Sequence, residues 1–272
     1  MGEVLRRAAD HLAARGSPSA RLDAEVLMAH ALGVDRLALY TGHDRPLAPD
    51  ELAAYRSLVA RRARREPVAY LTGRRAFRRL EVAVSPAVLV PRPETEVLVE
   101  WALEVAPRGG AALDWGTGSG AVALALADER PDLRVTALER SPAALAVARA
   151  NDPDGTVEWL ASDGFAAAAG RRFDVVAANP PYLAEGDLAA AEPELAFEPR
   201  EALVAGATGF EALEALAREA PAHLEPGGWL VAEVGVGQSG EVERRFRAAG
   251  LAEVGSRADL AGIPRVVGGR RS

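Results

Sequence analysis

The sequence of 272 residues contains no cysteine and no lysine. Without cysteine there is no disulfide, no thiolate zinc or iron–sulfur site and no thiol nucleophile. Without lysine no Schiff base can form, and no Walker-type lysine can meet a phosphate. Every one of the 32 basic residues is arginine. The four histidines, at 11, 30, 43 and 223, are scattered without metal-ligand spacing, so no metal site is expected. No apolar run approaches the roughly 18 residues of a membrane span. Glu3, Arg6, Arg7 and Asp10 interrupt the start of the chain, which leaves no signal-peptide core. A cytoplasmic protein with no membrane partner is the expectation.

What is present is ordinary for a folded protein: 49% hydrophobic and 26% charged residues in 28.5 kDa. At about 100–200 residues per domain, one large or two modest domains are expected. Charge is divided unevenly. Residues 1–85 hold 15 Arg against 10 acids, whereas residues 86–272 hold 17 Arg against 29 acids. A basic front and an acidic remainder suggest two units with different surfaces. The densest basic stretch runs from Arg61 to Arg79 with one intervening acid, Glu66. It reads either as a solvated helix face or as a contact for an acidic partner.

Residues 3–15, 19–32 and 48–64 carry apolar residues at helical spacing, for example Leu22, Val26, Leu27 and Ala31. A helical N-terminal domain over 1–75 follows. In 78–90 the period changes: Leu80, Val82 and Val84 alternate, Ser85-Pro86 turns and Val88–Val90 follow, so a β-hairpin linker is expected over 76–90. Pro91-Arg92-Pro93 opens a helix with Glu94 and Glu96 at its positive end. From residue 111 onward, strands (111–115, 134–138, 156–160, 173–178, 228–234) alternate with helices (120–128, 142–150, 209–222, 239–249). Such alternation means a parallel, doubly wound sheet. Segments 251–257 and 263–268 have no helix between them and form an antiparallel edge hairpin. The catalytic domain therefore spans 91–272.

Three constellations carry chemistry. Gly116-Thr117-Gly118-Ser119-Gly120 lies between a strand and a helix, where glycine lets the backbone turn and approach a ligand. Its G-x-G-x-G spacing is not the G-x-G-x-x-G of dinucleotide enzymes. Glu139 ends the next strand, 23 residues past Gly116, where a carboxylate can accept both ribose hydroxyls of a nucleoside. Asp163, after the third strand, is set to meet an adenine edge, with Phe165 to pack on the ring. Asn179-Pro180-Pro181-Tyr182 follows the fourth strand. Two prolines stiffen this loop and remove its donors, leaving carbonyls. The Asn179 and Pro180 oxygens can accept both hydrogens of a planar amino group while Tyr182 packs on its plane.

This order resembles the class I S-adenosylmethionine-dependent methyltransferases that act on planar nitrogens. More narrowly, the chain resembles the bacterial release-factor glutamine N5-methyltransferases, the HemK/PrmC family. Matching stretches are Tyr70–Gly73, Phe77, Pro91–Glu96, Leu113–Gly120, Asn179–Tyr182, Phe197-Glu198-Pro199, Ala202-Leu203, Glu233, Gly235, Gln238, Gly262 and Arg265. The resemblance implies a Rossmann-like fold and methylation of the glutamine of the Gly-Gly-Gln motif in class 1 peptide chain release factors. It implies S-adenosyl-L-methionine as cofactor, with S-adenosyl-L-homocysteine as product. Gly116–Gly120 would then meet the methionine part, Glu139 the ribose, and Asp163, Gly164 and Phe165 the adenine. Asn179, Pro180 and Tyr182 would be catalytic, with Pro181 completing the glutamine site and Asn179 also near the cofactor. Trp115 stands where a smaller apolar residue is usual, Glu139 replaces the commoner Asp, and Gly164 stands where some members carry an aromatic. The basic N-terminal domain would recognise the protein substrate, and a monomer is expected. The competing readings are a nucleic-acid methyltransferase acting on adenine N6 or guanine N2, and a non-catalytic cofactor-binding module. The acidic second half repels phosphate, so nucleic acid is not expected as substrate.

Overall fold

The structure, a computed structural model, describes residues 1–188 and 190–272. Its internal contacts divide the chain into two units: Met1–Arg74 together with Glu192–Phe197, and Arg75–Ala191 together with Glu198–Ser272.

The first unit is helical: α1 (Gly2–Ala14), α2 (Ala20–Leu32), α3 (Ala38–Thr41), α4 (Pro49–Arg62) and α5 (Val68–Thr72). Each start and stop has a local cause. Pro49 opens α4, where its missing N–H costs nothing, and the Glu51 carboxylate accepts the Ala48 N–H at 2.9 Å. Gly33 ends α2 at φ +63°. Leu12, Leu27, Met28 and Tyr55 are enclosed in its core. Each buried side chain of that size stabilises by roughly 1.5–3 kcal/mol.

Beside that core lies a buried polar cluster that periodicity does not reveal. Arg62, only 4% exposed, donates from Nε to Asp23 at 2.7 Å and from Nη1 to Glu194 at 2.9 Å. Ser17 and Ser19 donate to the same Asp23 at 2.6 and 2.8 Å. Arg65 pairs with Glu194 at 2.7 Å. Glu194 thereby joins its segment to the helices 130 residues earlier in the chain. Four arginines of the basic run are held in such pairs: Arg61 with Glu66, Arg62 and Arg65 with Glu194, and Arg78 with Glu129 and Glu100.

In the second unit, β1 (Arg74–Phe77) and β2 (Leu80–Ala83) precede α6 (Thr95–Val105). Then come β3 (Ala111–Trp115), α7 (Ala121–Glu129), β4 (Arg134–Glu139), α8 (Pro142–Ala150), β5 (Val157–Ala161), β6 (Phe173–Ala178) and β7 (Leu183–Ala184). The chain ends with α9 (Arg200–Leu203), β8 (Val204–Gly206), α10 (Glu211–Glu219), β9 (Leu224–Glu233), α11 (Ser239–Ala248), β10 (Leu251–Ala258) and β11 (Pro264–Arg271).

The expected linker hairpin is corrected. The segment from Leu80 pairs backward with Arg74–Phe77 across the two-residue turn Arg78–Arg79, with Arg78 at φ +50°. Residues after Ser85 form no strand, because Pro86, Pro91 and Pro93 have no N–H to give a ladder. The helix expected to open at Pro91-Arg92-Pro93 starts only at Thr95, two residues past the last proline.

The main sheet has the order β10-β11-β9-β6-β3-β4-β5. Strands β9, β6, β3, β4 and β5 are parallel, while β11 and β10 close one edge antiparallel. The chain runs outward from β3 through β4 to β5, then returns to β6 on the other side. Beside β3, therefore, the connections diverge, and a crevice opens at the carboxyl ends of the strands. Register places those ends level: Trp115 lies opposite both Leu138 and Ala178, and Glu139 opposite Ala161.

Candidate active site

A cavity of about 600 Å³ occupies that crevice. This falls within the size range of cofactor pockets. Four loops line it, one from each of the four adjacent strand ends: Gly116–Ser119 after β3, Glu139 ending β4, Ser162–Gly164 after β5, and Asn179–Pro181 after β6.

The glycine loop is held from below. Both Gly116 N–H and Thr117 N–H donate to the Leu138 carbonyl at 3.0 Å. Asp114, 1% exposed at the end of β3, accepts from the Thr117 hydroxyl at 2.5 Å and from Ala123 N–H at 3.1 Å. It thus staples the loop to the first turn of α7. Gly120 has φ +85°, and a Cβ there would lie 2.8 Å from the Trp159 ring, so only glycine fits. The Glu139 carboxylate accepts from Gly118 N–H at 2.9 Å and from Ser141 N–H at 2.8 Å. Its orientation is therefore set before any ligand arrives, and each oxygen keeps a further lone pair.

At the other wall, Asn179 Nδ2 donates to the Thr95 hydroxyl at 3.3 Å, while Asn179 Oδ1 is buried and has no partner. The Pro180 carbonyl also accepts nothing among the described residues. Both residues line the cavity, and each brings an acceptor without a partner. Gln238 holds the loop from behind, donating from Nε2 to the Tyr182 carbonyl at 3.0 Å and accepting Gly235 N–H at 2.8 Å. Glu198, buried, accepts Val90 N–H at 3.1 Å and pairs with Arg92. Glu198 thereby ties its chain position to residues 90–92, more than 100 residues earlier.

Two aromatic residues stand elsewhere than the sequence suggests. Phe165 does not line the cavity. It is 4% exposed, within the core, and stacks on His223 with ring centroids 4.5 Å apart. Gly164, at φ +57°, turns the chain immediately before it. Nor does the Tyr182 ring line the cavity. It packs on Gly235, where a Cβ would come within 3.1 Å of it, so the missing side chain makes its seat. Burial pushes its phenol up to about 12, with the Glu233 charge adding to the shift. Thr117, Ser119, Asp163 and Gly164 line the cavity, as does Trp115, whose indole N–H is buried without a partner.

Sequence reasoning assigned no role to Asp114, Thr95, Gln238 or Glu233. For Asp114 a signal existed: an acid at a strand end directly before a glycine loop. Burial pushes Asp114 up to about 7, against the Thr117 and Ala123 hydrogen bonds and with help from the Glu139 charge. The folded chain thus keeps a proton there that the unfolded chain has already lost. Stability from this group falls as pH rises from the ordinary carboxylate range to about 7. The melting temperature of Asp114→Asn is expected to decline less than that of the wild type across this window. An identical decline in thermal scans would contradict the assignment.

Comparison with known proteins accords with this geometry. The family model of the PrmC N-terminal domain matches residues 3–73, and that of the methyltransferase small domain matches residues 93–206. The release factor glutamine methyltransferase of Burkholderia pseudomallei is 50% identical over 267 residues, covering 94% of this chain and 94% of its own. That of Geobacter sulfurreducens is 44% identical over 271 residues, covering 98% of this chain and 95% of its own. A methyltransferase from Pyrococcus furiosus superposes with a TM-score of 0.54 at 21% identity, over 71% of this chain and 89% of that one, which shows the shared fold. With relatives this similar over nearly their whole length, the chain belongs to the family of release factor glutamine methyltransferases.

Proposed function

We propose that the chain transfers a methyl group from S-adenosylmethionine to the side-chain amide nitrogen of the glutamine in the Gly-Gly-Gln motif of class 1 release factors. The observation that carries this reading is the buried, unpartnered Asn179 Oδ1 beside the free Pro180 carbonyl. A primary amide offers two N–H hydrogens, and this wall offers two acceptors.

The residues present suit the cofactor. The backbone and hydroxyls of Gly116–Gly120 would hold the methionine part, Glu139 the two ribose hydroxyls, and Asp163 with Gly164 the adenine edge. With Phe165 in the core, the adenine faces are left to the aliphatic lining, such as Leu138 and Ala144. When bound, S-adenosylmethionine supplies an electrophilic methyl on sulfonium sulfur.

What the chain must add is a nucleophile. An amide nitrogen shares its lone pair with its carbonyl, as the ~18–20 kcal/mol rotation barrier records. Accepting both N–H hydrogens on fixed oxygens stabilises positive charge as it builds on nitrogen and aims the lone pair across the cavity. Positioning lowers the barrier further. The methylated amide is acidic while protonated and releases its proton to water, so no histidine is needed.

Replacing Glu139 by Ala is expected to weaken S-adenosylmethionine binding about 10- to 100-fold, the worth of hydrogen bonds to a charged group. Calorimetry reads this directly, and an unchanged affinity contradicts the ribose role. The function as a whole is tested by supplying labelled methyl donor with release factor, transfer RNA or duplex DNA in parallel. Label on the protein alone is expected; label on nucleic acid alone would overturn the reading.

A further inference from the structure

Residues 86–93 reach the cavity without belonging to any strand or helix. Pro86, Pro91 and Pro93 bring no N–H, yet Val88, Val90 and Pro91 are buried. A buried stretch outside any ladder must place its remaining donors elsewhere. The Val90 N–H goes to Glu198 Oε2 at 3.1 Å, and Arg92, on the same stretch, pairs with Glu198 Oε1. The Glu198 side chain has no solvent exposure. One buried carboxylate thus grips a main-chain donor and a guanidinium two residues apart. On both flanks of this grip the chain lines the cavity: Val88, Leu89 and Pro91 on one, Pro199 and Ala202 on the other.

We propose that Glu198 is a positioning residue for methyl transfer: by gripping the Val90 N–H and Arg92 together, it sets the spacing of two cavity walls between which the substrate amide enters. The proposal rests on the reading of this cavity as the site of amide methylation.

Two contacts fix what one leaves free. A single hydrogen bond sets a distance but lets the stretch swing about it. A second, to the other oxygen of the same carboxylate, sets its direction as well. Both are charge-assisted, and at a side chain without exposure no water competes for them. Losing either partner is costly in its own way. Without Glu198, the Val90 N–H is left unpaired in a buried place. Without Arg92, the carboxylate is left buried without its cation. Either defect is relieved only by movement of the walls, and a misplacement of about 1 Å costs about 10²-fold in rate.

The cofactor side of the cavity is fastened separately. The Leu138 carbonyl and Asp114 hold the glycine loop, and the Gly118 and Ser141 N–H groups hold Glu139. None of these bonds involves residues 86–93 or 198–202. Glu198 therefore acts on the placement of the substrate and not on the binding of the donor, and its loss separates turnover from donor affinity.

The test uses the full chain with release factor and S-adenosylmethionine, with kcat counted per donor site titrated by calorimetry. Glu198→Ala, which loses both contacts, is expected to lower kcat about 100-fold. Glu198→Gln, which keeps an oxygen for the Val90 N–H, should lower it about 10-fold, a charge-assisted hydrogen bond's share of the barrier. Donor affinity and stoichiometry should match the wild type in both. Arg92→Met should lose at least as much as Glu198→Gln, and the double variant Arg92→Met/Glu198→Gln, with no buried charge left unpaired, should recover part of the Arg92→Met loss. Wild-type kcat in Glu198→Ala, a double variant no better than Arg92→Met, or donor affinity that falls together with kcat would overturn the proposal. Should Glu198→Ala not fold, Glu198→Gln, Arg92→Met and the double variant decide. Full activity of Asn179→Ala would instead overturn the underlying reading of the site.

Discussion

Asn179→Ala is expected to slow methyl transfer about 10²–10³-fold, the cost of removing one preorganised group aimed at transition-state charge. Affinity for S-adenosylmethionine should stay near that of the wild type. The reason lies in where the two halves of the cavity come from. The glycine loop, Glu139 and Ser162–Gly164 extend from β3, β4 and β5, whereas Asn179 extends from β6. Truncating Asn179 removes an acceptor that is already desolvated and unpartnered, so the substrate nitrogen loses it without compensation from water. The partner acceptor, the Pro180 carbonyl, is main chain and survives the substitution, which explains why activity is reduced rather than abolished outright. Steady-state turnover with saturating donor, set beside calorimetric binding of the donor, separates the two effects. Loss of binding together with turnover would instead mark Asn179 as part of the cofactor wall.

The second large effect concerns stability. Arg62→Ala is expected to destabilise the helical unit by about 3–5 kcal/mol, because it leaves buried carboxylates without their cation. Asp23 keeps only Ser17 and Ser19, and Glu194 keeps only Arg65. The four tryptophans, at 101, 115, 159 and 229, all lie in the other unit, while helix is abundant in this one. Far-UV ellipticity should therefore be lost at lower denaturant in Arg62→Ala, with the tryptophan signal moved less. A loss below about 1 kcal/mol would mean that the cluster behaves as an exposed ion pair does. Substituting Arg62 also frees Glu194 from one of its two cations, and with it the short segment that returns to the helices between Tyr182 and Glu198.

The parts of the site that the sequence made legible are those the backbone dictates. Closely spaced glycines between a strand and a helix, an acid closing the next strand, and a Pro-Pro turn after the fourth are local statements. The sheet order then brings them together at one edge. What escaped depends on three-dimensional neighbours. Nothing local tells that Tyr182 would find its seat on Gly235 or that Phe165 would stack on His223. The alternation of Leu80, Val82 and Val84 identified a strand but not its partner, which proved to lie before it. Glu194 belongs with Arg62 and Arg65 through ion pairs across some 130 residues, a relation no period records. Glu233 stands out only once its burial is known.

The central claim is that the open acceptors of Asn179 and Pro180 present an amide nitrogen to a methyl donor. Its most direct test is mass spectrometry of purified release factor after incubation with this protein and S-adenosylmethionine, with fragmentation to locate the change. One methyl group on the side-chain nitrogen of the Gly-Gly-Gln glutamine is the predicted result, absent when Asn179→Ala is used for the same short time. An unmodified glutamine, or a methyl group on any other atom of the factor, would contradict the account.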